Sequence, residues 1–156
     1  MRFTTKVLIS AMVVALISNP GYAMPVPQND RIRSAFDLLL KVDAVYDRFF
    51  GYAAARTKEY EAFETLWNAG KAAEDYALKL VSDGTPAARV YGAILLLNID
   101  EAAARREFQT LKEEKSALLT WSGCVGRQET VGSLVQKLER GELVISAPMD
   151  GPIRSK

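Results

Sequence analysis

Apolar residues recur at three- and four-residue steps along most of the chain, the spacing that gathers them onto one side of a helix. Ile32, Ala35, Phe36, Leu39, Val42, Tyr46 and Phe49 form one such stripe, with Asp37, Lys41, Asp47 and Arg48 mostly off it. The pattern predicts a first helix from 30 to about 50, broken at Gly51. Thr57 is placed to cap a second helix with the stripe Tyr60, Phe63 and Trp67 and a stop at Asn68-Ala69-Gly70. A third, about 71–82, turns Ala73, Tyr76, Ala77 and Leu80 inward and ends at Ser82-Asp83-Gly84. Thr85-Pro86 is the clearest start signal: a threonine cap, then a proline whose missing N–H costs nothing in the first turn. The fourth helix, 86–98, is apolar nearly all round, which predicts a helix buried on most sides. Asp100 then caps a fifth, about 101–114, after a turn so short that the two helices must be antiparallel neighbours.

The rhythm changes after Lys115. Residues 117–122 read as a short strand and Gly123-Cys124-Val125-Gly126 as a turn. Val131, Leu134, Val135 and Leu138 define a last helix, about 129–140, stopped by Gly141. Leu143-Val144-Ile145 reads as a second short strand, placed to pair with 117–122. The expected fold is therefore mostly α. It has about six helices in antiparallel hairpins, as a HEAT-like or irregular bundle, and a small two-stranded β element near the C-terminus. It forms a single helical domain over 30–146. An extended leader at 24–29, with prolines at 25 and 27, precedes it; a loose tail, 147–156, follows.

Residues 85–114, with proline at the helix start, Ala-Ala-Arg-Val-Tyr-Gly-Ala along the crowded side and an acidic turn before an Ala-rich second helix, resemble a HEAT-like helical-hairpin unit. The resemblance covers about a fifth of the chain and brings no catalytic residues with it. Arrays of such units usually present surfaces to other proteins, so it implies a binding role.

The N-terminus adds an address. Arg2 and Lys6 supply a positive start, Val7 to Ser18 an apolar run, and Gly21-Tyr22-Ala23 a small-residue exit before Met24. These are the parts of a cleavable signal peptide over 1–23. The run falls short of the ~20 residues of a comfortable membrane span, so membrane attachment is expected only if cleavage fails. The expected location is outside the cytoplasm, periplasmic or secreted. Arg2 and Lys6 leave with the segment, so 18 basic and 19 acidic residues remain in a chain of 133. That near-neutral balance gives no bulk reason to bind nucleic acid; the expected partner is another envelope or secreted protein.

Composition then removes chemistries. There is no histidine, hence no Ser-His-Asp triad, no imidazole base and no His-bearing zinc site; one cysteine makes no internal disulfide. No cofactor or metal is implied. Cys124, between Gly123 and Gly126, lacks a histidine base and reads more simply as a small buried hydrophobe than as a nucleophile. Glu59, Glu61 and Glu64, and the pair Asp43 and Asp47, offer carboxylates, but a solvated helix face explains both. Arg105, Arg106, Lys112 and Lys115 form a basic cluster that intrahelical pairs such as Glu101 with Arg105 account for. The aromatics of the first two helices read as core, with more mass in Phe49-Phe50-Gly51-Tyr52 than one stripe can bury. The candidate binding residues are Trp121, Cys124 and Arg127, on the segment where the helical rhythm breaks. Trp121 offers a broad contact and Arg127 a charge for a carboxylate or phosphate. Two readings result: a binding or interaction module, and, as the alternative, a small histidine-free enzyme using carboxylates or Cys124.

Overall fold

The computed structural model describes residues 27–142 and 144–148. The signal peptide expected over 1–23, residues 24–26 of the leader, Leu143 and most of the expected tail lie outside them. The chain runs α1 (Gln28–Leu39), β1 (Ala44–Phe50), α2 (Lys58–Ala69), a 3-10 turn (Gly70–Ala73), α3 (Glu74–Asp83), α4 (Pro86–Ile99), α5 (Glu101–Leu111), β2 (Ala117–Gly123), β3 (Val125–Thr130) and α6 (Val131–Glu139). It is mostly helical, with a small three-stranded mixed sheet in the order β1-β2-β3. β1 pairs parallel with β2, and β2 antiparallel with β3.

The helix starts follow the sequence signals. Thr57 accepts from the Tyr60 N–H at 3.1 Å, Thr85 from Ala88 at 3.2 Å and Asp100 from Ala103 at 2.9 Å. Each satisfies one of the donors a first turn leaves unpaired. The Thr85 hydroxyl also donates to the Val42 carbonyl, tying the start of α4 to the connection before β1.

Helix α4 is the centre. Leu95 and Leu96 expose no surface, and the helix packs against α3, α5, α6 and the sheet. At Gly92 a Cβ would lie 2.8 Å from the Ala77 carbonyl oxygen and 2.9 Å from the Leu80 Cβ. The crossing of α3 and α4 therefore requires glycine there.

Four expectations are corrected. The helix expected over 30–50 ends at Leu39, and 44–50 is a strand. Backbone contacts from far away in sequence set that end, since the Thr85 N–H donates to the Leu40 carbonyl and its hydroxyl to Val42. The leader expected over 24–29 is helical from Gln28, with Pro27 as its cap. The turn expected at 123–126 is only Gly123-Cys124; Val125 opens β3, which takes the place beside β2 assigned to 143–145. Val144 and Ile145 are not a strand; they pack on the core instead. Of the tail expected from 147, residues 147 and 148 are described, and Pro148 is buried. Among the described residues no helix is long and apolar enough to cross a membrane.

Candidate functional site

The hairpin β2–β3 lies where the sequence breaks its helical rhythm, and it carries all three candidate binding residues. Its loop has two residues, Gly123 and Cys124, between the paired Ser122 and Val125. Gly123 has φ +56°, as the first loop position of a tight hairpin demands. Residues alternate between sheet faces along each strand. Thr120 and Arg127 pair and share one face; Trp121 and Gly126 pair on the other.

Trp121 is half-buried. Its ring meets Phe50 edge-on at 5.4 Å, and Phe50 meets Tyr46 likewise at 5.3 Å. A Cβ on Gly126 would come within 2.8 Å of the indole, so the ring lies directly over that glycine. Trp121 thus holds the hairpin to β1 as well as presenting surface. Cys124 is exposed at the hairpin tip, which corrects the expectation of a buried, inert side chain. A two-residue loop has no room to fold its second side chain inward. Arg127 is exposed and makes no ion pair among the described residues.

On the face that Arg127 shares, a pocket of about 350 Å³ opens between the sheet, α6 and the segment 144–146. Val45, Asp47, Thr120, Ser122, Arg127 and Glu129 line it from the sheet, and Leu134 and Lys137 from α6. Its acids are already engaged. Asp47 accepts from the Ser146 and Arg48 N–H groups at 2.7 Å each and from the Ser122 hydroxyl at 3.1 Å. Burial pushes its carboxyl upward, but these bonds outweigh burial and leave it below the usual carboxylate value. Glu129 accepts from Lys137 at 2.6 Å and from the Ser133 hydroxyl at 2.9 Å. The Lys137 bond is the main reason its carboxyl also sits low. Arg127 makes no ion pair among the described residues, and its charge helps to hold the Glu129 carboxyl low.

The remaining sequence candidates are not brought together. Asp43 and Asp47, expected four apart on one helix, flank the start of a strand, and Asp47 alone reaches the pocket. Glu64 is engaged by Arg56, and Glu59 and Glu61 do not reach the pocket. Arg105 pairs with Glu101 at 2.6 Å and Lys112 bonds Gln109 at 2.7 Å. Phe49 and Tyr52 are exposed, the excess aromatic surface the sequence indicated. Sequence reasoning missed Thr120, Ser122, Glu129, Lys137 and Ser146. The period-2 series Leu118, Thr120, Ser122 was the available signal for the first two.

Among the described residues no group of three or more metal-ligating side chains comes together. No protein-family model matches the chain, and neither the curated proteins nor the solved structures compared with it yield a match.

Proposed function

We propose that the protein is an exported binding module that engages another envelope or secreted protein through the β2–β3 hairpin. The observation that carries this reading is Arg127: an exposed guanidinium without an ion-pair partner, beside a pocket whose other charges are engaged. An arginine fork is well suited to a partner's carboxylate, which it can bind through two parallel N–H bonds. The helical layers serve as scaffold. The HEAT-like reading of 85–114 rests on the short α4–α5 turn and on the Gly92 approach to α3, and it extends no further than that hairpin.

Export rests on the charged start, apolar run and small-residue exit at 1–23. N-terminal sequencing of protein from the envelope fraction should begin at Met24; an intact Met1 on cytoplasmic protein rejects it. Binding is tested by capture from envelope extract. Arg127→Ala should lose the partner with an unchanged circular dichroism spectrum, and Cys124→Ser should retain it. Trp121→Ala is a poorer probe, because the ring also packs on Phe50 and Gly126.

A further inference from the structure

The two outer edges of the sheet differ. On β1, the Tyr91 hydroxyl accepts from the Tyr46 N–H at 2.8 Å and donates to the Tyr46 carbonyl at 3.2 Å, and Phe50 bridges back to Ala55. That edge is closed from within. β3 ends the sheet on the other side, and Val125 to Gln128 are all exposed. Neither a proline nor a bulge interrupts β3, and the charges that could guard this edge, Arg127 and Glu129, are of opposite sign.

The phase of the ladder shows which groups that edge presents. In an antiparallel pair, residues that exchange hydrogen bonds alternate with residues that do not. Val131 donates to the Ser116 carbonyl at 3.1 Å, so the odd-numbered residues of β3 bond β2. The even-numbered ones, Gly126, Gln128 and Thr130, turn N–H and C=O outward. The Thr130 N–H agrees, being bonded instead to the Ser133 hydroxyl at 3.2 Å. The side chains of Arg127 and Glu129 sit between these free groups, on the pocket face.

We propose that β3 pairs antiparallel with β3 of a second copy of this chain, about a two-fold axis at Gln128, joining two three-stranded sheets into one. The charge order selects both the partner and the register. Centred on Gln128, each Arg127 lies opposite the other copy's Glu129, in the close pairs that are not hydrogen-bonded. Centred one residue earlier, Arg127 faces Arg127; centred one later, Glu129 faces Glu129. Both put like charges directly opposite, which is unfavourable. The strand is thus self-complementary in one register and self-repelling in its neighbours. Each Arg127 joins the Glu129–Lys137 pair of the other copy and gains a contact ion pair, where its own chain's Glu129 acts on it only through space.

This rests on the reading of the hairpin as a binding surface and names one occupant of it. The test is sedimentation equilibrium of the exported full chain, with disulfide trapping alongside. The parent should sediment as a dimer. Gln128→Pro removes an outward-facing N–H, which an edge strand tolerates, and should sediment as a monomer with an unchanged circular dichroism spectrum. Arg127→Glu, which alters no backbone group, should do the same and stands in should the proline variant fail to fold. Gln128→Cys places two thiols at an opposed pair about 5.5 Å apart between Cα atoms, within disulfide reach. It should trap a covalent dimer under mild oxidation, whereas the parent's Cys124, opposite Gly132 of the other copy, should not. A monomeric parent, or trapping at Cys124 equal to that at residue 128, overturns the proposal. Gln128 lies off the pocket face, so a monomeric Gln128→Pro that still captures an envelope protein separates self-pairing from the broader binding role.

Discussion

Tyr91 shows how one buried polar atom sets local structure. It sits in the middle of α4 with no exposed surface, and its hydroxyl serves both the N–H and the C=O of Tyr46. Burial drives its ionisation far above the ordinary tyrosine range, so it remains a neutral donor and acceptor. Tyr91→Phe keeps the ring and leaves the Tyr46 N–H without its partner. Such a change should cost about 1–3 kcal/mol in chemical denaturation; a variant within error of the parent would show that water replaces the hydroxyl. Nothing in the local sequence marks Tyr91 for this role, because its partner is 45 positions away. The same holds for Asp47. Its type and place suggest a wet helix edge, yet it binds Ser146, 99 positions along the chain. Arg127 stands out in the sequence because its neighbours suit neither a helix nor a solvated loop, and it lies on the pocket face of the hairpin.

At the scale of elements, capped helices were read closely and strands poorly. Thr57, Thr85 and Asp100 are local signals, and each caps the helix expected of it. β1 was hidden because Val42, Tyr46 and Phe49 happen to continue the spacing of α1. The run of β-branched and aromatic residues at Val45, Tyr46, Phe49 and Phe50 was the competing strand signal. β3 has no such signal. Val-Gly-Arg-Gln-Glu-Thr is mostly exposed and polar, and its pairing with β2 rather than its propensity makes it a strand. Within α4 the prediction is direct. Leu95 and Leu96 are both fully buried, so each Leu→Ala change should cost about 2–5 kcal/mol of unfolding free energy. Two variants melting within a degree of the parent would place the centre of the fold elsewhere.

For the whole molecule, three acids among the described residues sit below their ordinary values for separate reasons. Asp47 does so through its hydrogen bonds in spite of burial, Asp100 chiefly through its bond from Ala103, and Glu129 chiefly through Lys137. A carboxylate with a lowered folded-state value stabilises the fold above its unfolded value and loses that contribution as pH falls through the folded one. The melting temperature should therefore hold steady down to about pH 4.5, the ordinary value for glutamate, and decline below it. A melting temperature that rises on acidification through that range would contradict the assignment. Asp47 and Glu129 also hold the two walls of the pocket, so the same protonation should loosen segment 144–146 and the hairpin.

The hairpin face around Arg127 is the proposed meeting point with the partner. The most direct measurement compares capture from envelope extract by Arg127→Ala with capture by Arg105→Ala, an exposed arginine already paired with Glu101 on α5. Each variant is scaled to equal folded protein by circular dichroism. Loss of the captured protein with Arg127→Ala and retention with Arg105→Ala is the predicted result. Equal retention by both would contradict it, and would place the binding surface away from the hairpin.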